Sequence, residues 1–166
     1  MDSDYDPSEL ATWRDTVRRF LADEVEPYYV GWERGGIFPR ELYLKAGETG
    51  LLCVDLPAEY GGADAPFDFA CAVIEEVSRA GYLSLASNWT MHSDIVARYI
   101  LNLGTEEQRR KYLPRMVTGE LFGALAMTEP GTGSDLQAIK TTALPEGSGS
   151  TKTELISTEI KRLGGP

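Results

Sequence analysis

Residues 121–135 read Leu121-Phe-Gly-Ala-Leu-Ala-Met127-Thr128-Glu-Pro130-Gly131-Thr-Gly133-Ser134-Asp135, and here the chain changes its pattern. The first seven, LFGALAM, are apolar, contain a glycine and are too few for a typical helix, so they predict a buried strand. The next eight, TEPGTGSD, predict a loop: Pro130, Gly131 and Gly133 favour a tight turn whose backbone lies open to close approach. Its N–H groups, with the hydroxyls of Thr128, Thr132 and Ser134, form a set of donors suited to an anion or a ring carbonyl. The same residues also make an ordinary Gly/Pro turn capped by Asp135, and composition alone favours that reading.

Upstream of this point the pattern is helical. Asp6-Pro7-Ser8-Glu9 carries a capping residue, a proline at the first helical position and a carboxylate three residues after the cap. Leu10, Trp13, Val17, Phe20, Leu21 and Val25 then repeat at helical spacing until Pro27. Residues 28–38, with Gly31, Gly35 and Gly36, predict a loop, and residues 39–50 a short helix. LLCVDLPAEYGG (51–62) predicts a buried connector. Pro66 opens a third helix with Phe69, Ala70, Val73, Ile74 and Val77 on one face. A fourth spans about residues 84–103, with an apolar stripe of Leu85, Trp89, His92, Ile95, Val96, Tyr99, Ile100 and Leu103. Thr105-Glu106-Glu107-Gln108 is a capping box for a fifth, which Pro114 is expected to bend or shorten.

Downstream, residues 138–143 predict another strand. From Leu144 the chain is rich in Ser, Thr, Gly and Lys with little to build a core, which predicts a divergent, disordered tail over 144–166. A sheet needs several strands to hide its edges. Either another chain completes this one or the sequence is a piece of something longer.

Composition removes several functions. Sixteen Lys and Arg against 26 Asp and Glu leave a net charge of −10, which repels phosphate backbones and argues against nucleic-acid binding. Cys53 and Cys71 sit in apolar surroundings, as reduced, buried thiols of a cytosolic protein do, and cannot build a disulfide framework. His92, the one histidine, has no Cys or His at ligand spacing, so no metal site is expected. Its phase with Trp89, Ile95 and Val96 predicts a hydrogen-bonded core histidine in preference to a catalytic one. The acidic start, MDSDYDPSEL, lacks the bias of a presequence, and no apolar run has the length to cross a bilayer. The expectation is a soluble, cytoplasmic protein.

The string Ala126-Met127-Thr128-Glu129-Pro130-Gly131-Thr132-Gly133-Ser134-Asp135-Leu136-Gln137-Ala138 closely resembles the flavin-binding signature of the acyl-CoA dehydrogenases. The resemblance extends upstream through residues 50–62, Trp89-Thr90-Met91-His92-Ser93-Asp94-Ile95-Val96 and Gly104-Thr105-Glu106-Glu107-Gln108, in family order. Trp89, His92-Ser93 and Ile95-Val96 are most similar to the long-chain subfamily. The resemblance implies a mainly α fold: a family-type N-terminal helical domain over 1–119, the first strand or strands of an incomplete middle β-domain over 120–143, then the divergent tail.

It also implies FAD as cofactor, an acyl-CoA as substrate, α,β-desaturation as the reaction of fatty acid β-oxidation, and an electron-transferring flavoprotein as partner. Leu125, Met127, Thr128, Gly131, Gly133 and Ser134 would contact the flavin, with Ser134 also near the acyl-CoA. The family's aromatic-Ile-Ser/Thr motif and carboxy-terminal helical domain, which holds the catalytic carboxylate, do not follow here. No residue is therefore expected to be the base, and homo-oligomers are expected only of the complete enzyme. A truncated chain is the reading; a non-catalytic helical interaction module derived from such an enzyme is the alternative.

Overall fold

Helix α1 (Pro7–Phe20) starts where its cap predicts, with Asp6 Oδ1 accepting the Ser8 N–H at 2.9 Å. It widens at its end into a π-helical stretch, Leu21–Val25, closed by Glu26 N–H on Leu21 O. Val17, Phe20, Leu21 and Val25 face the core. In this computed structural model the described residues are 5–140.

The loop expected over 28–38 is a helix, α2 (Tyr29–Gly35). Packing overrides glycine's weak helical propensity, a cost of about 1 kcal/mol each. Tyr29 is buried against Tyr82, ring centroids 4.4 Å apart, and Tyr28 stacks on Trp32. Gly36, at φ +68°, ends the helix as a left-handed cap.

Helix α3 (Arg40–Glu48) follows, then the buried connector with Leu51, Leu52, Cys53, Val54 and Leu56 inside and one 3-10 turn, Ala58–Tyr60. Helix α4 (Phe67–Arg79) lies along α1. Their contact is tied by Trp13 Nε1–H on Phe69 O (3.0 Å) and by three arginines around one carboxylate. Arg14, Arg18 and Arg79 all bond Glu76, whose side chain is only 5% exposed.

The expected fourth helix comes in three parts: α5 (Leu83–Trp89), a π-helical stretch Thr90–Val96, and α6 (Ala97–Leu103). The wider turns delay the phase of the face. Ser93 and Ala97 are buried, whereas Tyr99 and Leu103, placed inward by an unbroken 3.6-residue period, are 54% and 77% exposed. Helix α7 (Glu106–Val117) opens with the complete capping box and continues past Pro114 to Val117.

Two buried clusters result. The larger joins α1, α2, α3, α4 and α5 around Phe20, Leu42, Leu52, Val77, Leu85 and Trp89. The smaller joins the connector, α6 and α7 through Cys53, Leu56, Tyr60, Ala97, Leu113 and Met116. Backbone approaches backbone where α3 meets the end of α7. A Cβ on Gly47 would lie 2.4 Å from the Thr118 carbonyl group, and one on Gly119 2.1 Å from Tyr43 O.

The fold is mainly helical, as the sequence predicts. The strand expected over 121–127 is not formed, since a strand exists only through a ladder partner and these residues have none among the described ones. The one β pairing described is an isolated bridge, Glu129 to Thr132. Of the second expected strand, Ala138 belongs to a 3-10 turn, Leu136–Ala138, and residues 141–143 lie outside the described residues, as does the 144–166 tail. The chain divides into two compact units between Leu125 and Ala126. No helix among the described residues is long and apolar enough to cross a membrane.

Candidate functional site

The candidate site grows from a two-residue reversal. Glu129 and Thr132 exchange both backbone hydrogen bonds at 3.0 Å, leaving Pro130 and Gly131 at the tip. Thr132 is buried, and its hydroxyl donates to Ala138 O at 3.0 Å, which folds the following residues back on the turn. Asp135 Oδ1 accepts the Gln137 N–H and starts the 3-10 turn, while Glu129 Oε2 accepts the Lys140 N–H at 2.9 Å. Thr132, Asp135 and Glu129 are thus spent on building the loop.

The residues marked in the sequence are those left over. Met127, Thr128, Gly131, Gly133 and Ser134 are exposed in this unit. Among the described residues, the N–H groups of Thr128, Gly131, Gly133 and Ser134 and the hydroxyls of Thr128 and Ser134 have no partner. Leu125, at the end of the other unit, is 38% exposed. Neither Gly131 nor Gly133 has a positive φ, and a Cβ on either would meet nothing within 4 Å. No contact among the described residues requires glycine there. A ligand brought against that backbone would, and free donors beside a bare backbone fit a group presenting ring carbonyls and phosphates.

In the helical unit, His92 has both ring nitrogens engaged. Nδ1 accepts the Gly123 N–H at 3.0 Å, so Nε2–H is the donor to Met116 O, also 3.0 Å away. Burial holds its pKa below the usual histidine value. It is a neutral peg between the π-helical stretch, α7 and the segment leaving the helices, with no nitrogen left for chemistry.

A second group was not marked by sequence reasoning. The Asp55 side chain is 2% exposed and ion-paired to Arg98, and its Oδ1 has no partner among the described residues. Asp94 stands near both. Burial first, then the Asp55 charge, push its pKa up to about 6 against the opposing pull of Arg98. Asp94 and Arg98 line a cleft of about 370 Å³ with Ile95 and Tyr99. An aspartate inside the apolar run LLCVDL was the available signal. Cys53 beside it lies at φ +52°, with its thiol pushed up to about 12 by burial, and is inert.

Known proteins place both units in context. A family model described as acyl-CoA dehydrogenase, N-terminal domain, matches residues 7–120. The long-chain specific acyl-CoA dehydrogenase, mitochondrial, of Sus scrofa is 42% identical over 141 residues, covering 85% of this chain and 32% of its own length. The crystal structure of an acyl-CoA dehydrogenase from Geobacillus kaustophilus superposes with a TM-score of 0.80 at 44% identity, covering 88% of this chain and 38% of that one. An acyl-CoA dehydrogenase complexed with FAD, from Bacillus anthracis, gives 0.71 at 38% identity, covering 84% and 24%. The chain therefore spans about a third of the length of the curated relatives it matches.

Proposed function

The chain belongs to the acyl-CoA dehydrogenase family, and on that premise we propose that it serves FAD-dependent α,β-desaturation of an acyl-CoA thioester, with a long acyl chain. The observation carrying this reading is the turn at 128–134. It keeps unspent donors, and two glycines that its own fold does not require, inside the string that resembles the family's flavin signature.

Bound FAD would supply the redox chemistry by accepting hydride from the β-carbon. The protein's part is positioning. The Thr128 hydroxyl and the Leu125 and Met127 backbones would hold the isoalloxazine. Gly131, Gly133 and Ser134 would accommodate flavin or phosphate groups, and Ser134 would stand beside the acyl-CoA. Donors aimed at the pyrimidine side of a flavin favour the negative charge that reduction places there. No carboxylate of this chain is assigned as the base that removes the α-proton; Glu129 is tied to the Lys140 backbone.

The domain reading stands beside this one: helical domain over 1–119, start of the β-domain over 120–143, tail over 144–166. By resemblance an electron-transferring flavoprotein would reoxidise the cofactor. A cytoplasmic location draws support from the free thiols of Cys53, buried, and Cys71, half-buried.

The test is FAD titration of the purified chain, with Gly133→Val as the probing variant. A Cβ there meets nothing among the described residues, so the melting temperature should stay unchanged while FAD affinity falls about tenfold or more. Equal affinity in both proteins would remove the turn from the cofactor. A chain that binds no FAD at any concentration would favour the non-catalytic interaction module.

A further inference from the structure

The helical unit carries a second cleft, apart from that of Asp94 and Arg98. About 460 Å³ in volume, it lies between α2, the start of α3 and α5. Four aromatic residues line it: Trp32, Phe38, Tyr43 and Phe122. Their rings are already in mutual contact, Tyr43 to Phe122 at 4.2 Å between centroids and Trp32 to Phe38 edge-on at 6.0 Å. With them stands one carboxylate. Glu33 Oε1 accepts hydrogen bonds from Tyr29 and Ser84, which fix the group in place, while Oε2 has no partner among the described residues.

Among the described residues that line this cleft there is no lysine or arginine. The hydrogen bonds from Ser84 and Tyr29 hold the Glu33 pKa below the usual carboxylate range, so it is charged at neutral pH. Aromatic faces carry partial negative charge and attract cations, most strongly organic cations that shed water easily. One of these rings already shows that attraction, since the Arg40 guanidinium lies 5.5 Å from the Phe122 centroid. A cleft of this volume falls within the range of small-ligand sites.

We propose that the cleft between Trp32, Phe38, Tyr43, Phe122 and Glu33 binds a small organic cation of the alkylammonium class. The alkylated nitrogen lies against the rings that line the cleft, and the free oxygen of Glu33 neutralises its charge. The cleft belongs to the helical unit and the flavin turn to the other, so the two readings stand or fall separately.

The experiment titrates the full chain with choline and with its neutral isostere 3,3-dimethylbutan-1-ol, following the Trp32 indole N–H in nitrogen–proton spectra; Trp32→Phe identifies the peak. Saturable shifts with choline in the millimolar range are expected, with affinity for the isostere about tenfold weaker or worse. Glu33 is exposed; Glu33→Gln retains an oxygen to accept from Tyr29 and Ser84, and should lower choline affinity by about two- to fivefold. Equal binding of choline and isostere would overturn the proposal, leaving an apolar cleft only, and so would the absence of a saturable shift. Undiminished choline affinity in a Glu33→Gln protein of unchanged circular dichroism would overturn it too. Should that variant fail to fold, the choline-to-isostere comparison on the unaltered chain decides.

Discussion

At the scale of single residues, the acidity of Asp94 is the property with the widest consequence. Its folded pKa, about 6, lies above the ordinary 3.8. Folding therefore favours the protonated form, and the stability this group contributes is full below about pH 4 and lost as pH rises through 6. Asp94→Asn should remove that loss. Urea unfolding at pH 8 is expected to show a gain on the order of 1–2 kcal/mol over the parent, shrinking to nothing near pH 4. His92 works in the opposite direction. Its pKa is held low by burial, so its contribution is present above pH 6.5 and fades as the ring protonates at lower pH. The inward position of His92 could be read from its phase with Trp89. Its two partners could not, because the Met116 carbonyl and the Gly123 N–H lie 24 and 31 residues away.

Between elements, the α1–α4 seam and the α3–α7 approach are each sensitive to one residue. The α1–α4 seam depends on Glu76, whose pKa the Arg18 and Arg14 guanidinium groups draw down to about 2 against the penalty of burial. A depressed carboxylate stabilises above pH 4.5 and loses its effect as pH falls toward 2. Glu76→Gln should cost about 1–3 kcal/mol at neutral pH, discounted for the half-exposed Arg18, and should flatten the acid limb of the stability profile. The α3–α7 approach depends on Gly47. Gly47→Ala drives a methyl into the Thr118 backbone and should lower stability by about 2 kcal/mol or more, read as a falling denaturant midpoint. Helix starts were legible here because their chemistry is local: Asp6 and Thr105 cap as their spacing predicts. The π-helical stretches and α2 were not, since non-local packing chooses them over a regular period or a glycine-rich loop.

For the molecule as a whole, the helical class and the position of the turn were both written in local patterns, apolar spacing in one case and a run of turn residues in the other. A strand is different, because its existence is decided by a partner that its own residues do not specify. That is why LFGALAM reads as a strand but stands unpaired among the described residues. Acid and base should act on the parts unequally: below pH 4.5 the α1–α4 seam weakens through Glu76, while above pH 6 the charged Asp94, facing the Asp55 charge, weakens the contact of the connector with the π-helical stretch. In a pH series of melting temperatures, Glu76→Gln should therefore flatten the fall below pH 4.5 and Asp94→Asn the fall above pH 6, each leaving the other limb in place.

The widened turns at Thr90–Val96 make that helix unusually forgiving of a shortened gene. A ring closed over five residues holds one more than the usual ring over four, so losing one residue there converts slack into a regular coil and leaves Trp89 and Ala97 pointing as before. The same deletion inside Ala97–Leu103 has no slack to draw on, and would rotate everything after it by about 100°.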